Sequence, residues 1–344
     1  MTRRWNVVAG PLALRFHVRS VVVAGLLVLA LVGAILASLT LGAHPVGLVP
    51  ALQAVFGEGS VADELIVGQL RLPRVLTGAL VGAALGMAGS LFQSVTRNPL
   101  GSPDVIGFTS GASTGALVAI LVLGMGAGGT AIGAVLGGAA TAAIVFALAT
   151  RHGVAPLRLV LVGIGAGAIL LAVNQLMIVR SQLYDAQSAA VWLVGSLAGR
   201  GWPDVMFLLP VVIIGGVLAA ALASALTLGE FSDDRSASLG LRPGRVRLGA
   251  VTVGVLLASA AVAAAGPIQF VALAAPQISR RLTGATGPNA LTAALTGSVL
   301  LVLSDLAARE AFQPRQLPVG VVTGLVGGLY LIWLLGHEWR KGRG

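Results

Sequence analysis

Arg71 and Arg74 flank Pro73 at the start of one membrane-length apolar run, and Arg309 follows Asp305 by four residues near the end of another. A guanidinium is a planar fork that grips a carboxylate through two parallel hydrogen bonds, so these three groups suit a docking point for an acidic partner surface. The same residues also fit a plainer role, as interfacial arginines that snorkel towards water, with Asp305 and Arg309 paired along one helix. Past the far end of the first run, Asn98-Pro-Leu-Gly-Ser-Pro-Asp104 reads as a turn and a helix start. Ser102 is the cap, Pro103 takes the first helical position, and Asp104 complements the helix dipole.

Polar residues inside the apolar runs are few: Gln93, Asn174, Gln175, Gln269, Gln277 and Ser304. Such groups line a pathway or tie helices together, and Asn174 and Gln175 are the pathway candidates. None of the 12 acidic residues falls in the middle of a run, which counts against an ion-coupled secondary transporter. His17, His44, His152 and His337 lie at ends or in loops without ligand spacing, and there is no cysteine. No metal site or disulfide is therefore expected. No nucleophile triad or zinc-protease helix occurs, so no catalytic residue and no cofactor are expected. Only one of the 22 basic residues is lysine, Lys341, and a Walker-type nucleotide loop needs a lysine in its phosphate cradle. The chain by itself is not such an ATPase.

The elements that hold these residues must sit in lipid. The sequence is 56% hydrophobic and 10% charged, with a mean hydropathy of +0.95, against about 25% charged in soluble domains. Ten runs are long enough to span or nearly so: about 19–41, 73–95, 104–124, 128–149, 158–180, 204–226, 247–266, 268–283, 290–307 and 318–336. The run from Val21 to Leu41 is too long for a signal peptide and reads as an uncleaved first helix. With the N-terminus inside, the outer segments hold six basic residues, Arg71, Arg74, Arg180, Arg200, Arg309 and Arg315. The other sixteen fall on the cytoplasmic side. This positive-inside bias favours an even number of spans and both termini in the cytoplasm. It also explains the net charge of +10 without nucleic acid. The fold class read from this pattern is an all-α, polytopic bundle of about ten transmembrane helices, forming one domain over residues 1–344.

Glycine is abundant, and several glycines recur four apart: Gly78, Gly82 and Gly86; Gly133 and Gly137; Gly320, Gly324 and Gly328. In lipid such spacing lets helix backbones approach closely. The largest cytoplasmic loop, about Thr227 to Arg247, contains a segment that Ser232 or Asp233 opens as a short helix and Gly240 closes. It serves either as a surface for a cytoplasmic partner or as a solvated connector.

Taken in order, several segments resemble the permease subunits of iron-siderophore ABC importers, the FecCD type, which also includes the vitamin B12 permease. They are Leu70-Arg-Leu-Pro-Arg74, Gly82-Ala-Ala-Leu-Gly86 with Gln93, Asn98-Pro-Leu-Gly-Ser-Pro103, Trp192-Leu-Val-Gly-Ser-Leu197, Gly266-Pro-Ile-Gln-Phe270, Ala275-Pro-Gln-Ile-Ser-Arg280, Ser304-Asp-Leu-Ala-Ala-Arg309 and Leu317-Pro-Val-Gly-Val-Val-Thr-Gly324. Each is weak alone; together and in this order they are specific.

The resemblance implies ten helices per subunit, two permeases around a central path, a cytoplasmic ABC ATPase dimer and an extracytoplasmic siderophore-binding protein, in a bacterial cytoplasmic membrane. It implies that Arg71, Arg74 and Arg309 meet acidic residues of the binding protein. It implies that Phe231, Ser232, Asp233, Asp234, Arg235, Ser236, Leu239 and Gly240 couple to the ATPase. Within that segment Ser232 stands where the family usually has glycine, and Ser236 where it has alanine. Many members carry Pro-His where this chain has Pro276-Gln277. The Ala275-Pro-Gln277 form of this chain, with Asn98 to Asp104 upstream, resembles the second permease of ferric-enterobactin-type systems, which points to a heterodimer and a ferric siderophore. The same importer carrying cobalamin or heme is the alternative.

Overall fold

The computed structural model describes residues 4–9, 12–150, 156–229, 233–285, 287–311 and 316–341. Among the described residues the regular structure is helical apart from an antiparallel hairpin ahead of the bundle, β1 (Arg4–Ala9) and β2 (Leu12–His17), which pairs Arg4 with His17 and Ala9 with Leu12. Its residues include Trp5, Val7, Val8, Leu14 and Phe16, β-formers on either side of Gly10-Pro11 in the sequence.

α1 (Val18–Thr40) follows directly. Then come α2 (Leu48–Val55), the single turn α3 (Val61–Asp63), a π-helical stretch (Glu64–Arg71) and α4 (Leu72–Thr96). α5 (Phe108–Leu117) is extended by a second π-helical turn (Val118–Val122). The remaining helices are α6 (Ala127–Thr150), α7 (Pro156–Arg180), α8 (Leu183–Val194), α9 (Trp202–Gly229), α10 (Asp233–Ser238), α11 (Pro243–Ala265), α12 (Val271–Thr283), α13 (Ala290–Glu310) and α14 (Val319–Lys341).

Seven helical segments among the described residues are long and apolar enough to cross a membrane. The other three expected runs are also helical but shorter: Phe108–Val122, Val271–Thr283 and Val319–Trp333. Large apolar side chains such as Leu26, Leu29, Leu161, Ile169, Ile213 and Val217 point outwards. A surface of this kind is covered by lipid, not water.

α4 and α11 form the centre. Both are mostly buried, and α4 packs against α9, α11, α12 and α13. A side-chain-free face makes this possible. A Cβ on Gly82 would overlap the Gly297 carbonyl of α13, one on Gly86 the Ala293 carbonyl, and one on Gly89 the Ala272 carbonyl of α12. Ser298 Oγ adds a 2.7 Å hydrogen bond to the Ala79 carbonyl across the same seam. Gly133 and Gly137 of α6 meet Gly115 and Gly111 of α5 in the same manner. The third glycine series divides: Gly320 abuts the Val194 carbonyl, whereas Gly324 and Gly328 face open space.

α8 was not anticipated. It ends at Gly195, whose φ of +77° turns the chain back onto Pro267, and Gly266 (φ +73°) lies against the Trp192 carbonyl. Ser196 N donates to Ala265 O (2.8 Å) and Gly320 N to Gly195 O (3.1 Å). Three of the motif segments therefore meet at one backbone junction.

Candidate functional site

Pro73 sits in the first turn of α4, directly after the π-helical stretch that runs into it without a break, and Arg71 and Arg74 lie on either side of it. α13 lies along α4 and brings Asp305 and Arg309 to the same end. Arg74 grips Asp305 with two bonds, Nε to Oδ2 at 3.0 Å and Nη2 to Oδ1 at 2.8 Å, and Nη1 reaches Gln316 Oε1 at 3.1 Å. Arg309 Nε lies 3.4 Å from Asp305 Oδ2. One buried carboxylate thus holds two arginines.

Arg71 takes a different role. Its guanidinium donates to the Leu39 carbonyl (2.7 Å) and the His44 carbonyl (2.5 Å), and Arg309 Nη2 donates to the Ser38 carbonyl (3.4 Å). Both arginines therefore cap the C-terminal end of α1, where a positive charge complements the helix dipole. All three predicted arginines come together around Asp305 and the end of α1. Arg74 is the most open of them, with 13% of its side chain exposed. The sequence reading placed Asp305 with Arg309; its stronger partner, Arg74, lies 231 residues away in the chain, so spacing could not reveal it.

The opposite end of α4 holds a second constellation. Arg97 caps the helix and donates from Nε (3.1 Å) and Nη2 (2.7 Å) to the carbonyl of Gly229, the last residue of α9. Ser236 Oγ of α10 donates to the neighbouring Leu228 carbonyl at 3.1 Å. The short helix expected in this loop is α10; it opens at Asp233, and Gly240 (φ +81°) follows it in the left-handed conformation. Leu239 is exposed beside it. Phe231 and Ser232 lie outside the described residues, as do the side chains of Asp233, Asp234 and Arg235.

The helix expected at Pro103 begins later. Ser102 Oγ accepts from Val105 N (3.3 Å) as a cap should, but the chain continues in turns to Gly107 (φ +80°), and α5 starts at Phe108. The cause is a crossing: Ile106 presses on Gly163, and a Cβ at Gly107 would sit 2.6 Å from the Gly167 Cα of α7.

The buried polar residues bind helices to each other. Gln93 donates to the Leu273 carbonyl (3.0 Å) and accepts from Arg280, and Gln277 donates to the Pro99 carbonyl (2.8 Å). Asn174 is buried, and its Oδ1 accepts from Thr114 Oγ1 at 2.7 Å, which ties α7 to α5. Gln175, one position on, is exposed, as is Gln269 between α11 and α12. Ser304 lines an apolar cavity between α12, α13 and α14. No cluster of His, Asp or Glu fit for a metal occurs among the described residues.

The FecCD transport family model matches residues 27–337. The chain is 44% identical over 288 residues to the ferric enterobactin transport system permease protein FepG of Escherichia coli (strain K12), covering 84% of this chain and 87% of that protein. It is 36% identical over 312 residues to the Fe(3+) dicitrate transport system permease protein FecD of the same organism, covering 89% and 96%. Among solved structures, an ABC transporter described as of metal-chelate type, in an inward-facing conformation, is similar with a TM-score of 0.81 and 28% identity, covering 92% of this chain and 99% of that one.

Proposed function

The chain belongs to the FecCD transport family, and from that membership we propose how its geometry works. It is a permease subunit of an iron-siderophore ABC importer and a multi-pass membrane protein, not itself an enzyme. The match over residues 27–337, which takes in nearly every helix, carries this reading.

The finer proposal is as follows. The permease forms one membrane domain of ten segments in a bacterial inner membrane, with both termini in the cytoplasm. It pairs with a second, different permease around a central path, and a cytoplasmic ABC ATPase dimer drives the pair. A siderophore-binding protein docks at the outer end of α4 through Arg74, with Arg71 and Arg309 holding the end of α1 in place behind it. The cargo is a ferric siderophore of the enterobactin kind, and no bond in it changes. ATP binding and hydrolysis displace the segment from Phe231 to Gly240, which includes α10, and the two permeases rock between outward and inward openings. Gln175, exposed on α7, supplies a polar point on the path, while Asn174 fixes that helix against α5.

Gentle-detergent purification of the tagged chain from its native membrane tests the assembly. Recovery of an ATPase and a second permease is expected, with uptake of a ferric siderophore by the reconstituted complex. Recovery of the chain alone from active membranes would overturn the importer.

A further inference from the structure

Arg97 stands where a helix of this geometry normally has glycine. Arg97 N donates to Ser94 O (3.4 Å) and Asn98 N to Gln93 O (3.2 Å), the paired closing bonds of a C-terminal cap whose first residue beyond the helix is left-handed. Arg97 adopts that conformation, with φ +52°. Glycine enters it freely, whereas a residue with a Cβ does so at a cost. What the arginine adds is its side chain, which reaches the Gly229 carbonyl with two nitrogens.

The two last carbonyls of α9 are therefore held from two sides. Leu228 O takes the hydroxyl of Ser236 on α10, and Gly229 O takes the guanidinium of Arg97 at the end of α4. A small cavity lined by Ser94, Arg97, Leu226, Gly229, Ser236 and Arg247 lies among these elements. α4 runs from this point for 25 residues, roughly 37 Å of helix, back to Arg74 and its bond to Asp305. Its glycine seams leave it in close backbone contact with α12 and α13 along the way.

We propose that Arg97 is a transmission residue: it clasps the end of α9 so that a displacement of α10 is passed into α4, and through α4 to the end of the bundle that holds Arg74. This rests on the importer reading above. The clasp is a side-chain link between two helix ends that already pack against each other, and coupling between sites is carried by such hydrogen bonds together with packed, rigid elements. Lysine would not replace it, because an ammonium lacks the planar fork that places two donors on one oxygen.

Arg97→Gly separates the clasp from the fold. It relieves the left-handed backbone while removing the side chain, so stability and transmission move in opposite directions. In the purified complex reconstituted with its ATPase and binding protein, the variant is expected to assemble, to melt no lower than the wild type and to keep basal ATP hydrolysis. Siderophore uptake per ATP hydrolysed is expected to fall about tenfold, within the roughly 5- to 150-fold range of allosteric couplings. Arg97→Lys is expected to show a comparable fall. Uptake per ATP equal to the wild type in Arg97→Gly overturns the clasp alone. So does a loss accompanied by a lower melting temperature or failed assembly, which marks a merely structural role. Absence of siderophore uptake by the wild-type complex overturns the importer reading and the clasp with it.

Discussion

Arg74 and Asp305 are 231 residues apart in the chain and bonded through both carboxylate oxygens, at 2.8 and 3.0 Å. The pair joins the start of α4 to the end of α13, and Arg309 leans on the same carboxylate at 3.4 Å. Removing Asp305 leaves two arginines without their shared anion in a site where its own side chain is 5% exposed. Loss of one partner of a buried ion pair costs about 3–5 kcal/mol. Asp305→Ala is therefore expected to lower the melting temperature of the detergent-solubilised chain clearly. Arg74→Ala combined with Asp305→Ala should lose less than the two single changes added together. Additive losses would show that the two residues act independently.

Of the three arginines proposed for docking, Arg74 is the best exposed to a partner. A charge-assisted hydrogen bond contributes about 1.5–3 kcal/mol, so Arg74→Gln should weaken binding-protein docking about tenfold or more. Arg71→Gln should act mainly on stability, since Arg71 is bonded to the Leu39 and His44 carbonyls inside the chain. Titration of the binding protein against the reconstituted permease at low and high salt distinguishes the two. Unchanged affinity in Arg74→Gln would remove the docking role.

The membrane class and the helical runs were legible in the sequence because apolar length alone reports them. Position within the bundle was not. Gly78, Gly82 and Gly86 were read correctly as a packing face, yet the same spacing in Gly320, Gly324 and Gly328 yields one tight contact and two open positions. Facing depends on the neighbour, and one sequence does not carry the neighbour. Arg97 was legible only as one more cytoplasmic charge, since its value lies in a backbone conformation and a bond to a residue 132 positions away. α8 escaped because a helix of 12 residues between two spans leaves no length signal. Asp305 was named, but its i,i+4 neighbour hid the more distant partner.

The glycine seam makes its own prediction. A Cβ at Gly89 would overlap the Ala272 carbonyl, a backbone atom that cannot turn aside, whereas nothing lies within 4 Å of one at Gly324. Overpacking of this kind costs about 1–3 kcal/mol or more. Gly89→Ala should therefore melt several degrees lower, while Gly324→Ala in the isolated chain should stay within about 0.5 kcal/mol of the parent. Equal melting temperatures would contradict the close approach of α4 and α12.

Asn174 and Gln175 are neighbours with opposite settings. Asn174→Leu removes the bond from Thr114 to its Oδ1 and should cost about 0.6 kcal/mol, the average for interhelical hydrogen bonds in a membrane protein. Gln175→Leu should leave stability unchanged and lower siderophore uptake. Normal uptake by Gln175→Leu would take Gln175 off the path.

The last prediction concerns α10, which joins the bundle through its contacts with α9 and α11 and through Ser236 on the Leu228 carbonyl. A short helix held at the end of a long one moves with whatever pushes it, and in the proposed importer the ATPases push here. Deleting residues 232–238 removes both the pushed surface and the Ser236 link. ATP hydrolysis by the assembled complex should continue, while its stimulation by the loaded binding protein and the uptake of siderophore should both be lost. The measurement is ATPase rate and uptake on the same proteoliposomes, with and without binding protein. Retained stimulation with normal uptake would place the coupling surface elsewhere on the chain.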